Sequence, residues 1–363
     1  MLAAGDGQAA LDLMRQHEID IAISDLEMPG MDGMEFIRHL GEATRAVSLI
    51  VASGLDRPLI RSVEMMARAY GVRLLGSVEK PVTLEVLRPL VERHLAGPAH
   101  PRLGSPAARH FPVAEILAAL QNGQVEPFFQ PKVEMSTGAV RGAEALARWR
   151  HPTEGIVGAL EFIPALEKAG DVGELTAAMA AQAAAACRTW RAQGFDVGVS
   201  LNLSQESLGD VRLADRITEI VRAESLNPRD VILEITESAM AVDLGRALEN
   251  LSRLRMKGFG LSIDDFGTGY SSLQQLTRIA FTELKIDKSF VSAAGGADRA
   301  VLESSLEMAG KLRIPAVAEG VETQAEWDLL RELGCQLAQG FHVARPMEGI
   351  DFLQWLRTRQ HAT

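Results

Sequence analysis

Residues 260–273 read GLSIDDFGTGYSSL. The β-prone run Leu261-Ser262-Ile263 delivers two adjacent carboxylates, Asp264 and Asp265, into a turn where Gly267 and Gly269 permit backbone angles that other residues resist. Two anionic side chains at a strand's end point to a divalent metal. Adjacent strand residues face opposite ways, so both acids serve one site only if the strand ends there. Taken alone, the stretch reads equally well as an acidic turn capping the next helix, with Thr268, Ser271 or Ser272 as cap.

Working outward, further apolar strand-like runs occur at 127–133, 139–149, 197–204, 231–238, 283–290, 315–322 and 337–345. Helical stretches separate them, such as the Ala-rich 173–193, and a helix at 113–121 precedes them. With 260–266 they make eight strands over roughly 240 residues, as a (β/α)8 TIM-like barrel requires. Active sites of such barrels collect at the carboxyl ends of the strands. The polar residues expected there are Glu144 in GAEALARW, Asn202 in SLNLS, Glu234 and Glu237 in LEITES, Asp264 and Asp265, Lys285 in ELKIDKSF, Glu319 and Glu322 in AEGVET, and Gln339 in LAQGF. Unpaired buried carboxylates are costly, so something cationic must sit among them. Oxygen ligands without nearby His or Cys favour Mg²⁺ or Mn²⁺ over zinc. An Asp264 carboxylate bridging two ions, with Asp265 on the second, suits in-line attack of water on a phosphodiester. Lys285 would orient or deprotonate that water, and Arg148 would hold a phosphate through its planar fork. A barrel aldolase with Lys285 as Schiff base is the remoter alternative, disfavoured because the acids would hold that amine protonated.

The chain has 363 residues, 47% hydrophobic and 23% charged, a length that suits two domains. A net charge of −11 argues against a nucleic-acid surface, so a site handling a phosphodiester must bring its own positive charge, most simply as metal ions. Cys187 and Cys335 match no metal or disulfide spacing. No apolar run reaches transmembrane length, and a soluble, cytoplasmic protein is expected.

The first part of the chain alternates strands at 19–25, 47–52 and 72–78 with helices near 33–40 and 58–70. That order implies an α/β, doubly wound parallel sheet, with Asp25, Ser53 and Lys80 at strand carboxyl ends. Residues 1–95 resemble a response-regulator receiver domain. The resemblance implies phosphoacceptor Asp25, sensing Ser53, pairing Lys80 and a sensor kinase as partner. Two features depart from the family: its first strand with the Mg²⁺-holding acidic pair is lacking, and Ser77 stands at the aromatic switch position. Acyl-phosphate formation at Asp25 is therefore expected to be impaired. Residues 96–112, dense in Pro, Gly and Ala, read as a linker to a domain at 113–358.

That second domain resembles an EAL-type cyclic di-GMP phosphodiesterase. The signature Glu144-Ala145-Leu146 extends to Arg148-Trp149, and Gln130-Pro131, Asn202, Glu234-Ile235-Thr236-Glu237, DDFGTGYSSL, Lys285-Ile286-Asp287, Glu319-Gly320-Val321-Glu322 and Gln339-Gly340 recur in order. The resemblance implies cleavage of cyclic di-GMP to linear pGpG. It assigns Glu144, Asn202, Glu234 and Asp264 to the first metal and Asp264 with Asp265 to the second. Glu319 would support the metal–water cluster and Lys285 assist the water, while Gln130, Leu146, Arg148 and Gln339 place substrate. Glu237 would anchor the turn after Asp265, and a homodimer or higher oligomer is implied. Residues 154–163, EGIVGALEFI, depart from the family's usual loop, which bears on substrate contacts. Asp287 and Glu322 also read as structural ions, Trp149 as barrel packing, and Phe128 or Phe129 as facing a guanine. A catalytically silent cyclic di-GMP receptor acting through a protein partner is the rival; loss of a metal ligand would favour it, and none is missing.

Overall fold

The computed structural model describes residues 2–42, 47–53, 63, 66–67, 70–95, 111–236, 244–267, 279–292 and 296–360. The chain divides into two compact units, Met1–Arg109 and His110–Thr363. Much of the expected helix 58–70, nearly all of the expected linker, the turn 268–278 and Glu237 lie outside the described residues.

In the first unit, β1 (Ile21–Asp25), β2 (Ser48–Ser53) and β3 (Arg73–Glu79) form a parallel sheet in the order β1-β2-β3. Helices Gly7–Gln16, Gly33–Glu42 and Leu84–Leu95 accompany it. Asp6 caps the first helix by accepting from the Ala9 amide. Phe36, Ile37, Leu40, Leu49 and Val51 fill its own small core.

The second unit opens with helix Val113–Gln121, as the sequence predicts. It contains β4 (Val125–Glu134), β5 (Val140–His151), β6 (Gly155–Gly158), β7 (Gly198–Leu203), β8 (Val231–Thr236), β9 (Gly260–Phe266), β10 (Glu283–Ile286), β11 (Ala316–Ala318) and β12 (Leu337–Ala338). Their order is β4-β12-β11-β10-β9-β8-β7-β5-β6, and the further β4–β5 pairing closes eight strands into a barrel, with β6 appended to β5 as a hairpin. β4 runs antiparallel to both neighbours, while the other barrel pairings are parallel.

Strand alternation sorts the side chains. Val199, Leu201 and Leu203 of β7, Val231, Leu233 and Ile235 of β8 and Leu261 and Ile263 of β9 are buried in one apolar core with helices such as Val172–Ala192 and Leu213–Ala223. The alternate residues carry the polar groups of the interior. Three expected strands end early. β10 stops at Ile286 because Asp287 accepts from the Ser289 amide and caps the short helix Lys288–Val291. β11 stops at Ala318, ahead of Gly320 at φ +61°, and β12 has two residues only.

Candidate active site

Of the residues expected at the strand ends, Glu144, Asn202, Glu234, Asp264, Glu319 and Gln339 converge at the barrel's mouth around Lys285, which is 1% exposed. Its ammonium lies 2.6 Å from Glu234, 2.6 Å from Glu319, 3.1 Å from Asp264 and 3.4 Å from Glu144. Glu144 in turn accepts from Asn202 at 2.8 Å and from Gln339 at 2.6 Å. Gln339 also donates to Gln130 at 3.1 Å, and Gln130 to the Ala344 carbonyl. A cleft of about 320 Å³ opens over this cluster, and Leu146 lines both it and an adjoining cavity of about 470 Å³ that Asn202 and Glu167 also border.

Asp265 reaches the same site by a route the sequence reading did not anticipate. The strand does not end at Asp264; the β9–β10 register slips, with Leu284 opposite Ile263 and Ile286 opposite Phe266. That β-bulge sits at the paired acids, and Asp265 adopts φ +53°, which breaks the alternation of faces. Among the described residues, Asp264, Asp265 and Glu319 offer carboxylate oxygens that all lie within 4.8 Å of one another.

The electrostatics of this cluster are unbalanced. Burial, reinforced by Glu144 and Asp264, pushes the Glu234 carboxyl above its ordinary range despite Lys285 and Lys132. Burial and the neighbouring Asp264 raise Asp265 to about 6. Glu319 rises too, mainly through burial. Glu144 goes the other way: burial opposes its charge, but Lys285 and donation from Asn202 and Gln339 hold it well below. Burial works against the Lys285 ammonium as well, yet Glu144, Glu234, Glu319 and Asp264 keep its proton far more tightly than an ordinary lysine's. Such a setting disfavours the Schiff-base alternative, which needs a neutral amine.

A divalent cation fits this donor set. The ligands are carboxylate and amide oxygens, and five carboxylates (Glu144, Glu234, Asp264, Asp265, Glu319) face one ammonium. The Gln339 Oε1 atom is also buried without a hydrogen-bond partner.

Other expected residues stand apart from the cluster. The half-buried Arg148 donates to the Ala147 carbonyl at 2.8 Å, and burial lowers its pKa. Glu322 pairs with Lys288, as its structural reading anticipates. Trp149 is packed edge-on against Phe111 at 4.6 Å, and Phe129 against Trp190 at 4.8 Å, so both belong to the core. Phe128 is partly exposed with Arg150 over its ring at 5.9 Å. In the first unit, Lys80 pairs with Asp25, whose carboxyl also accepts from the Glu27 amide at 3.1 Å. Slight burial opposes the Asp25 charge, and Lys80 outweighs it, holding the carboxyl below its usual range. Ser53 ends β2.

Sequence reading missed a second polar layer beneath the mouth: Lys132, Ser200, Ser262 and Glu283, all buried. Each lies two residues from a site residue on the same strand (Gln130, Asn202, Asp264, Lys285), and that two-residue spacing was the signal available. Burial opposes the Lys132 charge, but Glu283 and Glu234 raise its pKa overall.

Comparison with known proteins agrees with this geometry. The EAL domain model matches residues 113–346, and the response regulator receiver domain model matches residues 1–92. The cyclic di-GMP phosphodiesterase RocR of Pseudomonas aeruginosa is 36% identical over 98% of this chain and 91% of its own length. The bifunctional diguanylate cyclase/cyclic di-GMP phosphodiesterase MucR of the same organism is 38% identical over 64% of this chain, which spans 34% of that protein. A solved PaMucR phosphodiesterase complex with c-di-GMP superposes at TM-score 0.64 with 37% identity, covering 66% of this chain and 98% of the other. EAL enzyme Bd1971, solved with cAMP and cyclic di-GMP, gives TM-score 0.64 at 31% identity over 67% of each chain. The chain belongs to the EAL domain family and carries a response regulator receiver domain ahead of its barrel.

Proposed function

We propose that this chain is a metal-dependent phosphodiesterase that hydrolyses cyclic di-GMP to pGpG at the mouth of its barrel, under the influence of its receiver domain. The observation that carries the reading is the convergence of Glu144, Glu234, Asp264 and Glu319 on the single ammonium of Lys285, with Asp265 brought alongside by the bulge. These carboxylates outnumber the ammonium among them, an imbalance that divalent ions, Mg²⁺ or Mn²⁺ and two in number, would offset. Glu144, Asn202, Glu234 and Asp264 would hold one ion, and Asp264 with Asp265 the other. When bound, such ions polarise the phosphodiester and activate water for in-line attack.

The protein's own groups do the rest. Asn202 and Gln339 each donate to Glu144 and so fix its carboxylate. Lys285, 2.6 Å from both Glu234 and Glu319, stands where it would orient the attacking water or a phosphoryl oxygen. Glu319 contacts Lys285 and shares the Asp264–Asp265 cluster, a position from which it supports the reacting water. Gln130 and Gln339 join the cleft's polar edge, and Arg148, which feels the Glu144 charge, would meet a phosphate. The adjoining cavity beside Leu146 and Asn202 has room for a purine base.

Purified protein incubated with cyclic di-GMP and Mg²⁺ or Mn²⁺ yields pGpG by chromatography, and chelation stops the conversion. Glu144→Ala abolishes it. Intact substrate after long incubation with either metal would defeat the enzyme reading and leave the receptor.

A further inference from the structure

The layer beneath the mouth holds a second buried ammonium that the scheme above leaves idle. Lys132, on β4, is 2% exposed and donates to Ser200 of β7 at 2.6 Å, to Glu283 of β10 at 2.8 Å and to Glu234 of β8 at 3.4 Å. One side chain thus ties four strands at one level. Its stem runs beside Gly142, its partner in the β4–β5 register, where a Cβ would already touch Lys132 Cε at 3.5 Å.

Glu234 is the only group shared by the two layers through these ammoniums, among the described residues, and its two oxygens are divided between them. Oε1 faces Lys132 at 3.4 Å and Oε2 faces Lys285 at 2.6 Å. We propose that Lys132 is a positioning residue: engaging Glu234 Oε1 from below, it presents Oε2 to the cation site and fixes the carboxylate's rotation. The proposal rests on reading the acidic cluster as a divalent-cation site.

Charge placement supports this division of labour. Lys285 sits at the centre of the cluster, 2.6 Å from both Glu234 and Glu319, where a cation bound by the same oxygens would repel it. Lys132 lies on the far side of the Glu234 carboxylate, where it remains a partner whether or not the mouth holds ions. Ser200 and Glu283 anchor its ammonium at that depth. The competing explanation is that Lys132 merely neutralises the buried Glu283, its nearer acid.

The double variant K132M/E283M separates the two, because it removes both charges together and leaves neither orphaned. Binding of Mn²⁺ to the full-length protein is read by titration calorimetry, alongside thermal unfolding and cyclic di-GMP turnover over a range of Mn²⁺ concentrations. The expected result is a folded protein whose Mn²⁺ dissociation constant rises about tenfold to a hundredfold, the range seen when a group orienting a ligand is lost. Its turnover recovers at high Mn²⁺, while E283Q, which keeps Lys132, binds Mn²⁺ like the wild type. Wild-type affinity in K132M/E283M overturns the proposal, as does equal weakening in E283Q. A double variant that fails to fold while E283Q folds makes Lys132 part of the barrel's floor and overturns it as well. Absence of Mn²⁺ binding by the wild-type protein would instead defeat the cation reading on which all of this stands.

Discussion

Asp265 combines two costs at one residue. Its backbone sits at φ +53°, a left-handed conformation that costs a non-glycine residue about 1–2 kcal/mol, and its carboxyl is pushed by burial and by Asp264 up to about 6. The sign of the pH effect follows from the raised value. Between the ordinary aspartate range near ~4 and about 6, the folded protein binds more protons here than the unfolded chain. Ionising Asp265 therefore removes stability as pH rises through that window, and a cation beside the carboxylate returns it. The rise in melting temperature caused by saturating Mn²⁺ should accordingly be larger at pH 7.5 than at pH 5, and Asp265→Asn should reduce the difference; an undiminished difference in that variant would take Asp265 out of the cation site. At this scale the sequence was informative where a charged residue interrupts an apolar strand, as at Glu144, Glu234 and Lys285, since burial of a charge there must be repaid by partners. Lys132 and Glu283 obey the same rule, but each stands beside a more conspicuous motif, and a buried ion pair reads like any other charge until its partner on a distant strand is known.

Elements bring these residues into register, and two of the segments between them meet closely at the mouth. A Cβ on Gly340 would stand 2.2 Å from the Val321 carbonyl oxygen and 2.3 Å from its nitrogen, so the segments carrying Glu319 and Gln339 touch backbone to backbone. Val321 donates to the Gln339 carbonyl across this contact at 3.1 Å. Gly340→Ala should cost about 1–3 kcal/mol or more through overpacking, visible as a lower urea midpoint, and should weaken Mn²⁺ binding by displacing Glu319 and Gln339. A variant with an unchanged midpoint would mean that the contact yields freely. The apolar runs revealed that eight strands exist, yet their ends were obscure for a definite reason. Phe290 and Val291 prolong the apolar pattern of 283–286 while belonging to a short capped helix packed on the same core, and periodicity cannot separate the two over so few residues. Likewise β6 is only four residues long, and the reversed direction of β4 leaves no trace in side-chain alternation, which is the same for parallel and antiparallel strands.

The whole molecule joins two units with separate apolar cores, and among the described residues of the receiver domain Lys80 is the charged partner of Asp25. Among the described residues, no group of three metal-ligating side chains gathers there, in contrast to the barrel's mouth. Acyl-phosphate formation needs a cation to offset the charge of the incoming phosphoryl group, and among the described residues Lys80 supplies one positive charge against the carboxylate it already pairs with. Incubation with acetyl phosphate and Mg²⁺ should therefore leave Asp25 largely unmodified by intact-mass measurement and leave the hydrolysis rate unchanged. Stoichiometric phosphorylation that Asp25→Asn removes would show that the charge is offset by groups not yet identified. Influence of the receiver domain on the barrel is then expected to work through assembly: the full chain should sediment as a homodimer or larger oligomer, and a protein comprising residues 111–363, which keeps the barrel core together with Phe111 against Trp149, should differ from it in both oligomeric state and rate. If the shortened protein matches the full chain in both, the receiver domain has no part in controlling hydrolysis, and the barrel's acids and their cations act alone.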